Sequence, residues 1–302
     1  MHKVLRASIA VVFLLGWVVA QAQQAKEDYL DVYIVHVKPE KRADFDAIAK
    51  KIAVANRGGK GDAWIAIDTV YGPGNRVSFI STRHSYGEIQ TAQEAFLAAI
   101  QKAYGKGTDK VFQDFSQCVA SDRSEIRRRR WDLSSNAPTD PAAYAKLIAN
   151  SRYLRTAAVQ VRPGQAQVFE GILRDLKEAR EKASPPLTSL VSQTVAGTEG
   201  TVYYITTLQP NMAGFDGIPT AQQLLGDEGY QKLLKASADT VVTAETSINR
   251  FNPDLSSVPE EIASLAPNYW TPKTAMPVNA KTSTPKSGLV NAKETKTEPD
   301  KN

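Results

Sequence analysis

Four groups of side chains in this sequence could carry chemistry. They are the imidazoles of His36 and His84, the run Arg127-Arg128-Arg129-Arg130, the carboxylate of Asp68 and the amide of Gln160. A neutral imidazole can accept a proton or ligate iron, and a guanidinium offers a planar fork to an anion. If Tyr29 to Val37 is a strand, His36 shares a face with Leu30, Val32 and Ile34, while Val35 and Val37 take the other. His36 reads equally as a hydrogen-bonded strand-end histidine without chemistry, and His84, in the polar loop Thr82-Arg83-His84-Ser85-Tyr86, reads as a surface residue. Within the arginine run, alternation puts Arg128 and Arg130 on one face with Ile126, and Arg127 and Arg129 on the other with Trp131. One pair is then exposed, and the other is turned inward or paired with carboxylates. Arg128 suits a structural ion pair, with Asp68 as its candidate partner, and alternatively the binding of an anionic ligand.

Absent motifs narrow the field. The sequence has no GxSxG, HExxH or CxxC, and Gly72-Pro73-Gly74 and Gly105-Lys106-Gly107 lack the Gly-Lys-Ser/Thr of a phosphate loop and read as turn and cap. His36 and His84 stand far apart without clustered Cys or carboxylate partners, so neither a metal site nor a catalytic residue is assigned. Cys118 is the one cysteine of the chain, which rules out an intrachain disulfide.

Lys3 and Arg6 precede the apolar run Ala7 to Val19, and Ala20-Gln21-Ala22 supplies small residues where a signal peptidase cuts. The reading is a signal peptide over 1–22 and an exported protein, periplasmic or extracellular, without a membrane-spanning segment once the leader is gone. Of the formal charge of +5, two units belong to the leader. The remaining excess gives no reason to expect nucleic acid as a partner.

The elements that must position these residues come in two sets. Tyr29, Leu30, Val35, Val37, Pro39, Phe45 and Ile48 recur, at an offset of 124, as Tyr153, Leu154, Val159, Val161, Pro163, Phe169 and Ile172. Further on, Arg128 and Asp132-Leu133-Ser134-Ser135 recur as Arg250 and Asp254-Leu255-Ser256-Ser257. Gln160 is the counterpart of His36. The first set reads as a strand to Val37, a helix through Phe45, Ile48 and Ile52, a hairpin of Trp64 to Tyr71 and Arg76 to Thr82, a helical region, and a strand over Ser124 to Trp131. The second reads likewise, with a hairpin of Leu187 to Val195 and Thr201 to Leu208 and a last strand over Thr246 to Phe251. The order is βαββαβ, the ferredoxin-like arrangement, in two domains over 28–136 and 150–257. Helices cover one face of such a sheet, and strands with large apolar residues on both faces, such as Tyr33-Ile34-Val35 and Tyr203-Tyr204-Ile205, need a partner on the other. The expected fold is α+β: two tandem repeats packed sheet to sheet as a pseudo-twofold α/β barrel.

On these residues the chain resembles the dimeric α/β barrel superfamily in a tandem, single-chain form. The resemblance implies an interior cavity that holds a small ligand; members range from haem enzymes and cofactor-free monooxygenases to stress proteins. His36, Gln160, Asp68, Arg128 and Arg250 are then the candidate ligand-binding residues, for a small apolar or anionic molecule. The first functional expectation is a non-enzymatic binder. The alternatives are an oxygenase, haem-dependent or cofactor-free, with His36 and the cavity arginine in the active roles, and an envelope-interaction protein whose Pro-, Thr- and Lys-rich stretch, 271–302, is a disordered tail in weak contact with the envelope.

Overall fold

The computed structural model describes residues 28–271 except 186. The leader expected over 1–22 and all but the first residue of the expected tail lie outside the described residues.

The chain runs β1 (Tyr29–Val37), α1 (Arg42–Gly59), β2 (Trp64–Tyr71), β3 (Arg76–Arg83), α2 (Tyr86–Tyr104), α3 (Thr108–Gln117) and β4 (Val119–Arg129). After α4 (Pro141–Asn150) follow β5 (Tyr153–Val161), α5 (Ala166–Lys182), β6 (Leu190–Ala196), β7 (Thr201–Gln209), α6 (Ala221–Thr240), β8 (Val241–Ser257), α7 (Glu260–Ala263) and α8 (Pro267–Trp270). The eight strands form one closed antiparallel barrel in the order β1-β3-β2-β8-β5-β7-β6-β4, with β4 returning to β1.

Period-two alternation sorts each strand into an outward and an inward face. Outward, Val35 and Val37 of β1 pack with Phe45 and Ala49 of α1 and with Ala66, Val77 and Leu255. On the opposite side Val159, Val161, Val191 and Tyr203 pack with Phe169, Ile172 and Leu173 of α5. Inward, Leu30, Val32 and Ile34 form a smaller cluster. The hairpins bend at glycines that approach the neighbouring strand closely: a Cβ on Gly72 would meet Ser247, and one on Gly197 would meet the backbone of Ser124 and Glu125. Both glycines have positive φ, a conformation that costs other residues.

Three differences from the sequence reading bear on the site. Strand β8 extends from Val241 to Ser257, far beyond the expected Thr246 to Phe251, because it pairs with β5 along its first half and β2 along its second. Strand β4 starts at Val119, and Trp131 falls in a 3-10 turn after it. Residues 141–150, which lie almost wholly between the two expected domains, form α4, with the Asp140 carboxylate accepting from Ala143 N and Pro141 in the first turn. Ala145, Ile148 and Ala149 of α4, with Ile262 and Trp270, pack on the inward-facing Ile67, Leu154, Leu190, Leu208 and Phe251 and so cover that end of the barrel.

Phe45 is fully buried whereas Leu97 on α2 is exposed. Phe45→Ala is therefore expected to cost about 3–5 kcal/mol. Leu97→Ala should stay within about 0.5 kcal/mol of the parent. Urea denaturation of the two variants checks the assignment.

Candidate functional site

Inside the barrel lies a cavity of about 1570 Å³. Its middle is apolar, lined by Leu30, Ile34, Ile67, Ile80, Leu154 and Phe251. Polar groups gather in three places.

The first is a buried carboxylate on β4. Glu125 is almost completely buried, and one oxygen accepts from Arg127 Nε at 2.7 Å while the other accepts from Arg123 Nε at 2.7 Å. Tyr204 of β7 donates its hydroxyl to the same carboxylate at 2.9 Å, and the Arg127 guanidinium lies over the Tyr204 ring at 3.4 Å from its centre. Burial pushes the Glu125 carboxyl up, and Arg127 with Arg123 pulls it back further, leaving it below the ordinary glutamate value of 4.5. Burial raises the Tyr204 phenol, with the Glu125 charge adding to it against the opposing pull of Arg127. The cluster joins β4 to β7 and presents Arg127, a fixed cation, to the cavity.

The second place is the rim formed by His36, Arg76, Arg123, Gln160, Glu199 and Glu245. Burial lowers the His36 pKa, and the charges of Arg76 and Arg123 lower it further, so the ring is neutral near pH 7. Gln160 is occupied, donating to the Glu199 carbonyl at 3.0 Å and accepting from Thr243 at 3.4 Å.

The third place is the opposite rim, where the Asp28 carboxylate stands 2.7 Å from His84 Nδ1 and accepts from Trp131 Nε1 at 3.3 Å. Arg129 donates to the Tyr144 hydroxyl at 3.1 Å, its guanidinium 5.3 Å from the Trp131 ring centre. All of these residues line the cavity.

The sequence candidates divide accordingly. His36 and Gln160 line the cavity at the same rim. Asp68, Arg128 and Arg250 are not among its lining residues. Asp68 is held on the outer side by Arg42 at 2.7 Å and Asn252 at 2.7 Å, which corrects its proposed pairing with Arg128. Arg250 is exposed, and Arg128 is half-buried on the face opposite Arg127. The inward arginines are Arg123, Arg127 and Arg129, the alternate set on β4. The outward Arg130 pairs with Glu170 and Asp132. Strand alternation alone could not tell which set faced inward. His84, read from the sequence as a surface residue, and Asp28 are not linked by sequence alone because they lie far apart in the chain; the antiparallel pairing of Tyr29 with Arg83 is what brings their neighbours together.

Haem is the cofactor suggested for His36, and an imidazole that ligates a metal almost always has its second nitrogen held by an acceptor. His36 has no such acceptor among its described contacts, and His84 has one but its side chain is 46% exposed. These donors do not fit a haem. Among the described residues no group of three or more His, Cys, Asp or Glu could hold a metal ion. No helix among them is long and apolar enough to cross a membrane.

No protein-family model matches the chain, and no curated protein matches it. Solved structures do. An anthrone oxidase-like protein aligns over 76% of this chain and 92% of its own, at 12% identity and TM-score 0.49. A chlorite dismutase variant from Candidatus Nitrospira defluvii aligns over 79% and 95%, at 9% identity and TM-score 0.40. A haem-binding protein from Thermus thermophilus aligns over 76% and 93%, at 10% identity and TM-score 0.38. At these identities the likeness is one of fold. Their names, oxidase-like protein and dismutase, are not those of non-enzymatic binders, and the first expectation of a non-enzymatic binder is withdrawn.

Glu125→Gln is expected to cost about 3–5 kcal/mol by leaving Arg127 buried without its charge partner. Adding Arg127→Met should recover most of that loss. Because the folded pKa of Glu125 lies below 4.5, its contribution is complete above that value and is lost as the pH falls through the lower, folded value. Urea midpoints measured across the acid range should therefore fall more steeply for the parent than for the double variant.

Proposed function

We propose that this chain is a cofactor-free oxygenase that oxidises a small, acidic aromatic molecule with dioxygen inside the barrel. The observation that carries the reading is the cavity itself: an apolar chamber of about 1570 Å³ into which Arg127, Arg129 and Arg123 project. Apolar walls suit a flat ring system and exclude water, and in such surroundings a fixed guanidinium stabilises a developing anion more strongly than it could in solvent. Removing a proton from an activated CH₂ gives a carbanion that can reduce dioxygen directly. In the overall change CH₂ becomes C=O, one oxygen atom stays in the product and the other leaves as water.

Two further readings rest on sequence and symmetry. The barrel is proposed to be a tandem duplication of one ferredoxin-like unit, supported by the recurring residues, by the matching close approaches of Gly72 and Gly197, and by the shared placement of His36 and Gln160. The protein is proposed to act outside the cytoplasm, supported by the leader pattern over 1–22.

Oxygen-electrode measurements with anthrone as probe test the oxygenase reading, using protein dialysed against chelator. The expected result is oxygen uptake above buffer autoxidation, reduced in Ala158→Trp, whose new ring projects into the cavity. Uptake undiminished in that variant contradicts the reading. A Soret band on adding haemin, lost in His36→Ala or His84→Ala, would instead favour the haem-dependent oxygenase.

A further inference from the structure

The oxygenase reading leaves open which group removes the proton. We infer that His84 is the catalytic base, accepting the substrate proton at Nε2, and that Asp28 positions it; the inference rests on the oxygenase reading.

The local fold places this pair with little freedom. Asp28 immediately precedes β1 and His84 immediately follows β3, and the antiparallel register pairs Tyr29 with Arg83, so the two side chains meet at the same end of adjacent strands. Asp28 holds His84 Nδ1 with one oxygen and receives Trp131 Nε1 on the other, which fixes both the carboxylate and the ring. The His84 backbone is anchored as well: its N–H donates to the Glu88 carboxylate, and Ser85 caps α2 by accepting from Glu88 N at 3.2 Å. With Nδ1 committed as the donor to Asp28, Nε2 is the nitrogen left to accept a proton.

The surroundings suit the task. Arg129 and Arg83 line the same end of the cavity, Arg83 tied to Asp62 at 2.6 Å and to Asp31 at 3.4 Å, while Arg129 carries no carboxylate partner among its described contacts. An anion formed beside His84 thus meets the Arg129 cation. Asp140 and Glu261 are the other charged groups lining this end. The proton moves from the substrate O–H or C–H to Nε2, giving imidazolium beside the Asp28 carboxylate. At 46% side-chain exposure the ring can then pass that proton to water. His36 is the poorer base: burial, and then the charges of Arg76 and Arg123, disfavour its protonated form, and no carboxylate is bonded to its ring among its described contacts.

The class of substrate follows: a planar molecule with an apolar body and one acidic O–H or C–H, held so that the acidic group lies at the Asp28 rim. The phenol 4-nitrophenol is a direct probe, because its phenolate has its own visible absorption band. Titrated into the protein well below the probe's own pKa, it is expected to bind as phenolate. In His84→Gln it should still bind, with the phenolate fraction reduced at least about tenfold. Asp28→Asn should give a smaller reduction in the same direction, and it keeps the proposal testable if His84→Gln fails to fold. His36→Gln should retain the band. Binding as phenolate that is unchanged in both His84→Gln and Asp28→Asn overturns the base assignment alone. No binding to the parent protein, together with no oxygen uptake from anthrone, overturns the oxygenase reading and the base with it.

Discussion

Closure of the sheet is the constraint on which everything else in this molecule depends. Eight strands carry helices on their outer face, and the inner face presents Leu30, Ile34, Leu154 and Phe251, apolar side chains that an open sheet would leave in water. Pairing β2 with β8 and β4 with β6 removes every edge and turns those inner faces toward one another. Both seams are reinforced by polar side chains. At the first, Thr69 donates to Asn249 at 2.9 Å, Asn252 donates to Asp68, and Trp64 Nε1 donates to the Leu255 carbonyl at 2.8 Å. At the second, Arg130 donates to Gln193 at 2.9 Å, and Glu125 on β4 accepts from Tyr204 on β7.

The same closure makes the interior chemically distinctive. A carboxylate as buried as Glu125 is tolerable because Arg127, Arg123 and Tyr204 satisfy it, and removing any one partner leaves a costly charge or donor behind. Arg127 is consequently locked in place, its guanidinium over the Tyr204 ring at the cavity wall. A cation held this rigidly needs no reorganisation when an anion appears near it. The rim with His84 and Asp28 complements it. There the titratable group stays close enough to water to exchange protons, while α4, α7 and α8 keep the barrel end packed.

Much of this was legible in the residues. The recurrence of Tyr29 to Ile48 at 153–172 and the β-branched runs around tight turns gave the strand order, and the doubly apolar strands implied a covered inner face. His36 and Gln160 fell on the inward face by simple alternation from Val35 and Val159. The phase of β4 was not legible, because arginines occupy both of its faces over 127–130 and carry no hydrophobic pattern to fix it. Helix α4 had its signals, Asp140 as a cap and Pro141 after it, but its apolar residues find their partners only at the barrel end. The pairing of Asp28 with His84 depends on strand register, which a single sequence does not state.

Every role proposed for the interior requires the sheet to close on itself within one molecule. Thr69 and Asn249 face each other across the β2–β8 seam as Cα partners, a separation that a disulfide can span. Cys118, the one native cysteine, is buried. The most direct measurement is oxidation of the Thr69→Cys/Asn249→Cys variant, read by intact mass and thiol titration. Near-complete formation of one intrachain disulfide, with the parent's circular dichroism retained, is the predicted result. Two free thiols that stay unlinked, or links that join separate chains, would contradict a closed barrel and remove the cavity on which the proposed chemistry depends.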